Sequence, residues 1–196
     1  MKRLVLASRS PRRMELLNML GFEFTIVPGN VKEEKFSNLP PVDMVKKLAE
    51  AKAKDILSLV EETVVIAADT IVLLDDIILG KPSNREEAIS ILSKIQGKKH
   101  QVFTGFAVYD TVSDNLIVDY DKTDVFMRSI SDAEIRAYVA TGEPMDKAGA
   151  YGIQGIGGIF VEKIIGSYFT VMGLPIHRLI PILNDFNIKI FTSSLL

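Results

Sequence analysis

The chain has 196 residues, 47% of them hydrophobic and 24% charged, with a formal net charge of −2. That length suits one domain, or two lobes sharing a sheet, and the near-neutral charge argues against a nucleic-acid coat or a membrane-surface binder. The absence of cysteine excludes disulfides and thiolate metal sites, and two histidines argue against a histidine-based zinc site.

Met1–Ser8 holds only a short apolar stretch before more arginines, too brief for a signal peptide or a membrane span. The expectation is a cytoplasmic protein with no membrane partner and no nucleic-acid partner. In chain order, Leu4–Ala7 reads as a short buried strand. Ser10 then offers an N-cap, Pro11 takes the first helical position, and Gly21 stops the helix after Leu20, with Met14, Leu17 and Leu20 on its apolar face. Phe22–Val27 is a second strand, and residues 28–41 are a polar, proline-bearing loop. The spacing predicts a helix over about 42–58, with Val42, Val45, Ala49, Ala53 and Ile56 on one side. Val64–Leu74 is an apolar strand pair with a turn at Asp75-Asp76. Ser83-Asn84-Arg85-Glu86 reads as a capping box opening a helix with Ala88, Ile91, Leu92 and Ile95 inward. His100–Tyr109 and Leu116–Phe126 are two long strands joined near Ser113-Asp114-Asn115. Ser131-Asp132-Ala133-Glu134 is a second capping box, and its helix ends at Gly142. A glycine-rich stretch over 149–158 precedes the strand Ile159–Ile165, and Pro175–Phe186 closes as a helix. This alternation indicates α/β with a mixed, twisted sheet and flanking helices.

Asp69 is the one carboxylate within the apolar run 63–74. An unpaired carboxylate in an apolar interior is costly, so it must be paired, metal-bound or part of a site. Its chemistry is then metal ligation or general-base activation of a water. The bland alternative is a strand-end acid paired with a nearby lysine.

Ser8-Arg9-Ser10-Pro11-Arg12-Arg13 leads from a strand into a helix start, whose N–H groups favour anions. Arginines in a first turn oppose the helix dipole, and they are tolerable there when they face a phosphate, which Arg grips with a planar fork. Otherwise they are solvated residues on a capped helix. Lys52 lies at the edge of the stripe Val45, Ala49 and Ile56, either snorkelling or reaching into a phosphate cleft. Lys81 follows an apolar strand in Gly80-Lys81-Pro82. Glu33 and Glu34 lie in the polar loop, and either can give Mg²⁺ a second oxygen. The glycines at 149, 152, 155, 157 and 158 permit close ligand approach, and Gln154 can read a base edge. The run matches neither a P-loop nor a dinucleotide fingerprint, and the plain alternative is a mobile surface loop. His100 and His177 read as structural.

Together these segments resemble the Maf family of nucleoside triphosphate pyrophosphatases, relatives in fold of the inosine triphosphate pyrophosphatases. The likeness runs over about residues 4–186. It is carried by Ser8-Arg9-Ser10-Pro11-Arg12-Arg13, Ala67-Ala68-Asp69-Thr70, Gly80-Lys81-Pro82, His100-Gln101-Val102-Phe103-Thr104-Gly105, Gly142 through Gly155, and Gly166-Ser167-Tyr168 with Gly173-Leu174-Pro175. The resemblance implies an inosine triphosphate pyrophosphatase-like fold with a cleft between two lobes. It implies hydrolysis of a nucleoside triphosphate between its α- and β-phosphates, with a divalent cation, Mg²⁺ or Mn²⁺. Asp69 is thereby the catalytic acid, binding metal and orienting or deprotonating water. By the same resemblance Ser8, Arg12, Arg13, Lys52 and Lys81 would form the triphosphate cradle, and Glu33 would be the second metal acid. Thr70 and Gln154 recognise the base in the branch that prefers dTTP and UTP, with modified pyrimidine nucleotides as further candidates. Arg12-Arg13, Thr70 and Tyr151–Gly155 place the chain nearer that branch than the one acting on 7-methyl-GTP.

The acidic loop departs from the pattern. It reads Asn30-Val31-Lys32-Glu33 where many relatives carry aspartates at the first and third positions, which leaves Glu33 and Glu34 both open. A homodimer is compatible with the family pattern. The expected role is a house-cleaning or nucleotide-pool enzyme. The reading from another class is a nucleotide-binding regulator of cell division and septum formation with little turnover. Asp69 favours catalysis, because a pure sensor needs no poised acid.

Overall fold

Strand β1 (Arg3–Leu6) pairs in parallel with β2 (Phe24–Ile26) on one side and with β3 (Thr63–Leu74) on the other, so Leu6 lies opposite both Ile26 and Ile66. The computed structural model describes residues 2–190. From Thr63 to Asp69 every residue of β3 is buried, which is what an apolar run reads as when a strand is covered on both faces. β4 (Ile77–Leu79) folds back antiparallel on β3. The turn between them holds Asp75 and Asp76 at φ 46° and 66°, the left-handed pair that a two-residue hairpin demands. β5 (Lys99–Asp110), β6 (Asn115–Met127) and β7 (Val161–Ile165) complete a mixed sheet in the order β2-β1-β3-β5-β6-β7, with β7 antiparallel to β6.

The helices are α1 (Pro11–Met19), α2 (Pro41–Asp55), α3 (Arg85–Ile95), α4 (Asp132–Ala140), α5 (Tyr168–Met172) and α6 (Ile176–Asp185). The Ser131–Glu134 capping box of α4 forms as expected. At α3 the expected box is one residue out of register. Asn84 is the cap and accepts from the Glu87 N–H, while the Glu87 carboxylate reaches back to the Ser83 N–H and hydroxyl. Ser10 caps α1 by position only; it makes no side-chain cap bond, and its N–H donates to Ser8 Oγ. The buried face of α1 is Arg13, Leu16 and Leu17, because Met14 and Leu20 stay half-buried. The predicted 42–58 helix stops at Asp55 and continues as a 3₁₀ turn, Leu57–Leu59. The last strand starts at Val161 rather than Ile159, since Ile156–Phe160 coils into another 3₁₀ turn.

Two compact units share the chain. The first takes the residues up to Asp69, Thr104–Asp121 and those from Gly173 onward; the second takes Thr70–Phe103 and Lys122–Met172. In the first unit, Val5, Val65 and Ala107 of the strands, with Ala7 just past β1, pack on Ala49, Ala53 and Ile56. These small residues bring α2 close to β5. A Cβ added at Gly105 would lie 2.3 Å from the Val45 carbonyl oxygen and 2.8 Å from the Lys46 nitrogen. The second unit has its own core, which includes Val72, Leu92, Ile95, Val102, Tyr138 and Phe160.

Candidate active site

Because β1 and β3 run parallel, their carboxyl ends lie on the same side, the usual place for a ligand in α/β sheets. Their ladder closes with Leu6 opposite Ile66, and the Ala7 N–H donates to the Ile66 carbonyl at 2.7 Å. Ser8 and Asp69 both lie just past that end. The strand residues that make this region apolar therefore carry an acid and an arginine-rich turn to one place.

Asp69 is 7% exposed, buried but not sealed. Lys52, in the last turn of α2, puts its Nζ 2.5 Å from Asp69 Oδ1 and 2.6 Å from Glu33 Oε1. A helix C-terminus favours a cation, so α2 presents the ammonium at little electrostatic cost. Of the two loop acids left open by sequence, Glu33 is the one that reaches Lys52. Glu34 is exposed, with its carbonyl accepting from the Ser37 hydroxyl. Burial pushes the Asp69 carboxyl above its ordinary value of 3.8, and Lys52 and Arg13 pull it back without cancelling the shift. A carboxylate so placed takes a proton more readily than one in water, as a general base must.

Arg13 is buried. Its Nε donates to the Gly173 carbonyl at 2.8 Å and its Nη1 to Ser8 Oγ at 3.0 Å. Burial lowers its pKa, and attraction to Asp69 opposes that shift. Ser8 thus orients the guanidinium as well as the helix start. The Gly173 carbonyl, 160 residues from Arg13, is a member of this arrangement that no local sequence signal could reveal. Arg12 is half-buried in the same turn and repels Arg13.

Ser8, Arg12, Arg13, Glu33, Lys52 and Asp69 belong to the first unit; Thr70, Lys81 and Gln154 belong to the second. Thr70 follows Asp69 on β3 and is half-buried, Lys81 is exposed just past β4, and Gln154 is exposed in the glycine-rich run. His100 is buried against the Tyr151 hydroxyl, 2.8 Å from its Nε2, and burial pulls its pKa down to about 4, so it is neutral near pH 7. His177 is exposed, 3.6 Å from Asp121.

Lys52→Met removes the largest charge opposing the burial of Asp69. The acid limb of the pH–rate profile is expected to move to higher pH, with part of the rate recovered in alkaline buffer. A profile that only drops in height would show that Lys52 does not tune Asp69.

The family model described as "Maf-like protein" matches residues 3–186. A dTTP/UTP pyrophosphatase of Caldicellulosiruptor bescii is 47% identical over 183 residues, covering 91% of this chain and 92% of that protein. One from Desulforamulus reducens is 47% identical over 190 residues, covering 97% of this chain and all (100%) of that protein. Among solved structures, a HAM1 protein from Coxiella burnetii shares 14% identity at a TM-score of 0.48, covering 94% of this chain and 100% of that one. The Staphylococcus aureus Ham1 protein shares 15% identity at a TM-score of 0.43, covering 64% of this chain and 72% of that one.

Proposed function

The chain belongs to the Maf family, and from that membership we propose that it hydrolyses dTTP and UTP to the monophosphate and pyrophosphate, using Asp69 as its base. It is a nucleoside triphosphate pyrophosphatase. The observation that carries the assignment of Asp69 is its joint contact with a lysine that also holds Glu33, deep in an otherwise apolar strand.

In the reaction a water adds across the bridge between the α- and β-phosphorus atoms. The water oxygen ends on one phosphate, and the bridging oxygen leaves with the other. Asp69 takes the water's proton as the new P–O bond forms. Such chemistry needs positioning and charge neutralisation more than covalent help. Arg13, locked by Ser8 and Gly173, and Lys52, locked by two acids, are cations whose geometry is set before substrate arrives. Arg12 and Lys81 add further positive charge for the phosphates, and Thr70 and Gln154 read the base.

Glu33 and Asp69 are hard oxygen donors sharing one cation, a set that fits Mg²⁺ or Mn²⁺ completed by substrate phosphate oxygens. These two residues would hold the metal, which when bound neutralises phosphate charge and lowers the pKa of water. Among the described residues no group of three or more His, Cys, Asp or Glu is placed to hold a metal. Mn²⁺ titrated into the protein alone should therefore bind far more weakly than into protein with a non-hydrolysable dTTP analogue. Equal affinity in the two titrations would remove the phosphates from the ligand set.

The deciding assay incubates the protein with Mg²⁺ or Mn²⁺ and a nucleotide panel. Pyrophosphate from dTTP and UTP is the expected result. Tight nucleotide binding without product at high enzyme concentration would instead favour the regulatory reading.

A further inference from the structure

The acidic loop that follows β2 is tied to the rest of the first unit at Val27, Asn30 and Glu33. The Val27 N–H donates to the Leu6 carbonyl at 3.1 Å, close to Ser8 in the chain. The Asn30 N–H donates to Asp55 Oδ2 at 2.6 Å. Glu33 Oε1 accepts from Lys52 Nζ at 2.6 Å. Lys52 and Asp55 occupy positions i and i+3 of α2, neighbours on its surface, so one helix end holds the loop at two points. Asp55 is the last residue of α2, where a carboxylate opposes the helix dipole rather than complementing it. Gly29 makes room for that carboxylate: an added Cβ would lie 2.8 Å from Asp55 Oδ2 and 3.3 Å from its Cβ. Every residue of this arrangement lies in the same unit as Asp69.

We infer that Asp55 is a positioning residue for Glu33, holding the acidic loop so that the Glu33 carboxylate shares a cation with Asp69 before a metal arrives. The inference rests on the reading of Glu33 as a metal acid given above. The Glu33 side chain is 56% exposed, and an ion pair so open to water contributes little to holding a loop. Lys52 sets where the carboxylate oxygen lies, and Asp55 sets where the backbone leading to it lies. With both anchors in place, little chain freedom is left to lose when the cation binds. Without Asp55 the loop must be ordered at that moment, and affinity falls. The anchor works through its oxygen and not through its charge, because an amide oxygen accepts the same N–H.

The test follows free Mn²⁺ by electron paramagnetic resonance as the metal is titrated into protein holding a non-hydrolysable dTTP analogue. It compares the wild type with Asp55→Ala, Asp55→Asn, Glu33→Gln and the double variant Asp55→Ala with Glu33→Gln. Asp55→Ala should weaken Mn²⁺ binding by roughly 10-fold, the low end of what the partners of metal ligands contribute, with Tm unchanged or higher once the acid is gone from the helix end. Asp55→Asn, which keeps the acceptor, should stay within about 3-fold of the wild type. In the Glu33→Gln background Asp55→Ala should change the affinity by less than about 2-fold, since the two residues act as one unit. Gly29→Ala, whose methyl group displaces the Asp55 carboxylate, should weaken binding in the same direction, and it decides the matter if Asp55→Ala does not fold. Unchanged affinity in Asp55→Ala beside a clear loss in Glu33→Gln would overturn the proposal, as would an equal Asp55→Ala loss with and without Glu33. Unchanged affinity in Glu33→Gln would overturn the reading of Glu33 instead, and this inference with it.

Discussion

Asp69→Asn is expected to lower kcat by at least ~10²-fold, the usual scale for losing a general base, while leaving the protein as stable as the wild type or more so at neutral pH. The second half follows from the sign of the shift. Burial holds the Asp69 carboxyl above 3.8, so the folded protein binds that proton more tightly than the unfolded chain does. The resulting contribution to stability is complete below pH 3.8 and is lost as pH rises through the folded value. Once ionised, above its folded value, the wild type carries a buried charge that asparagine lacks. The Tm difference should therefore open with rising pH and close in acid. Lost activity with retained stability is the signature of a residue kept for chemistry rather than for folding. Wild-type turnover by the variant would refute the catalytic role. A large fall in Tm at pH 7 would show instead that the Lys52–Asp69 pair is a net stabiliser.

Gly105→Ala should destabilise the protein by about 3 kcal/mol, at the upper end of overpacking costs, because the methyl group meets helix backbone rather than a movable side chain. The added Cβ would stand 2.4 Å from the Val45 carbonyl carbon and 2.3 Å from its oxygen, so α2 must move away from β5. Urea unfolding should show a lower midpoint at unchanged slope. Since α2 also carries Lys52, the shift should reduce activity beyond what the lost stability explains; an error of about 1 Å at a site can cost 10²-fold. Gly80→Ala is the matched control. Nothing lies within 4 Å of its Cβ, and its stability should stay within about 0.5 kcal/mol of wild type. A Gly105→Ala protein that unfolds with wild type would mean that α2 does not approach β5 so closely.

The elements legible in the chain were those decided within a few residues. Alternating strands and helices, the Asp75-Asp76 turn and the Ser131 capping box all depend on local hydrogen bonds and on which side chains share a face. Local signals also misled by small steps. Asn84 rather than Ser83 caps α3, a shift of one residue between two good capping side chains. Much of the glycine run is shaped by Glu143 from 13 or 14 residues away, a contact that no local signal records.

An acid in an apolar strand marked Asp69 from residue order alone, because burial of a carboxylate is too costly to be incidental, and the Maf family came from the resemblance of the motif blocks. Tertiary structure decided what that acid meets. It chose Glu33 over Glu34 through Lys52, and it turned Arg13 inward onto the Gly173 carbonyl. Those partners are brought together by the parallel register of β1 with β3 and by the close approach that Gly105 allows α2. Contacts of that kind arise from packing between distant segments, and periodicity within one segment carries no record of them.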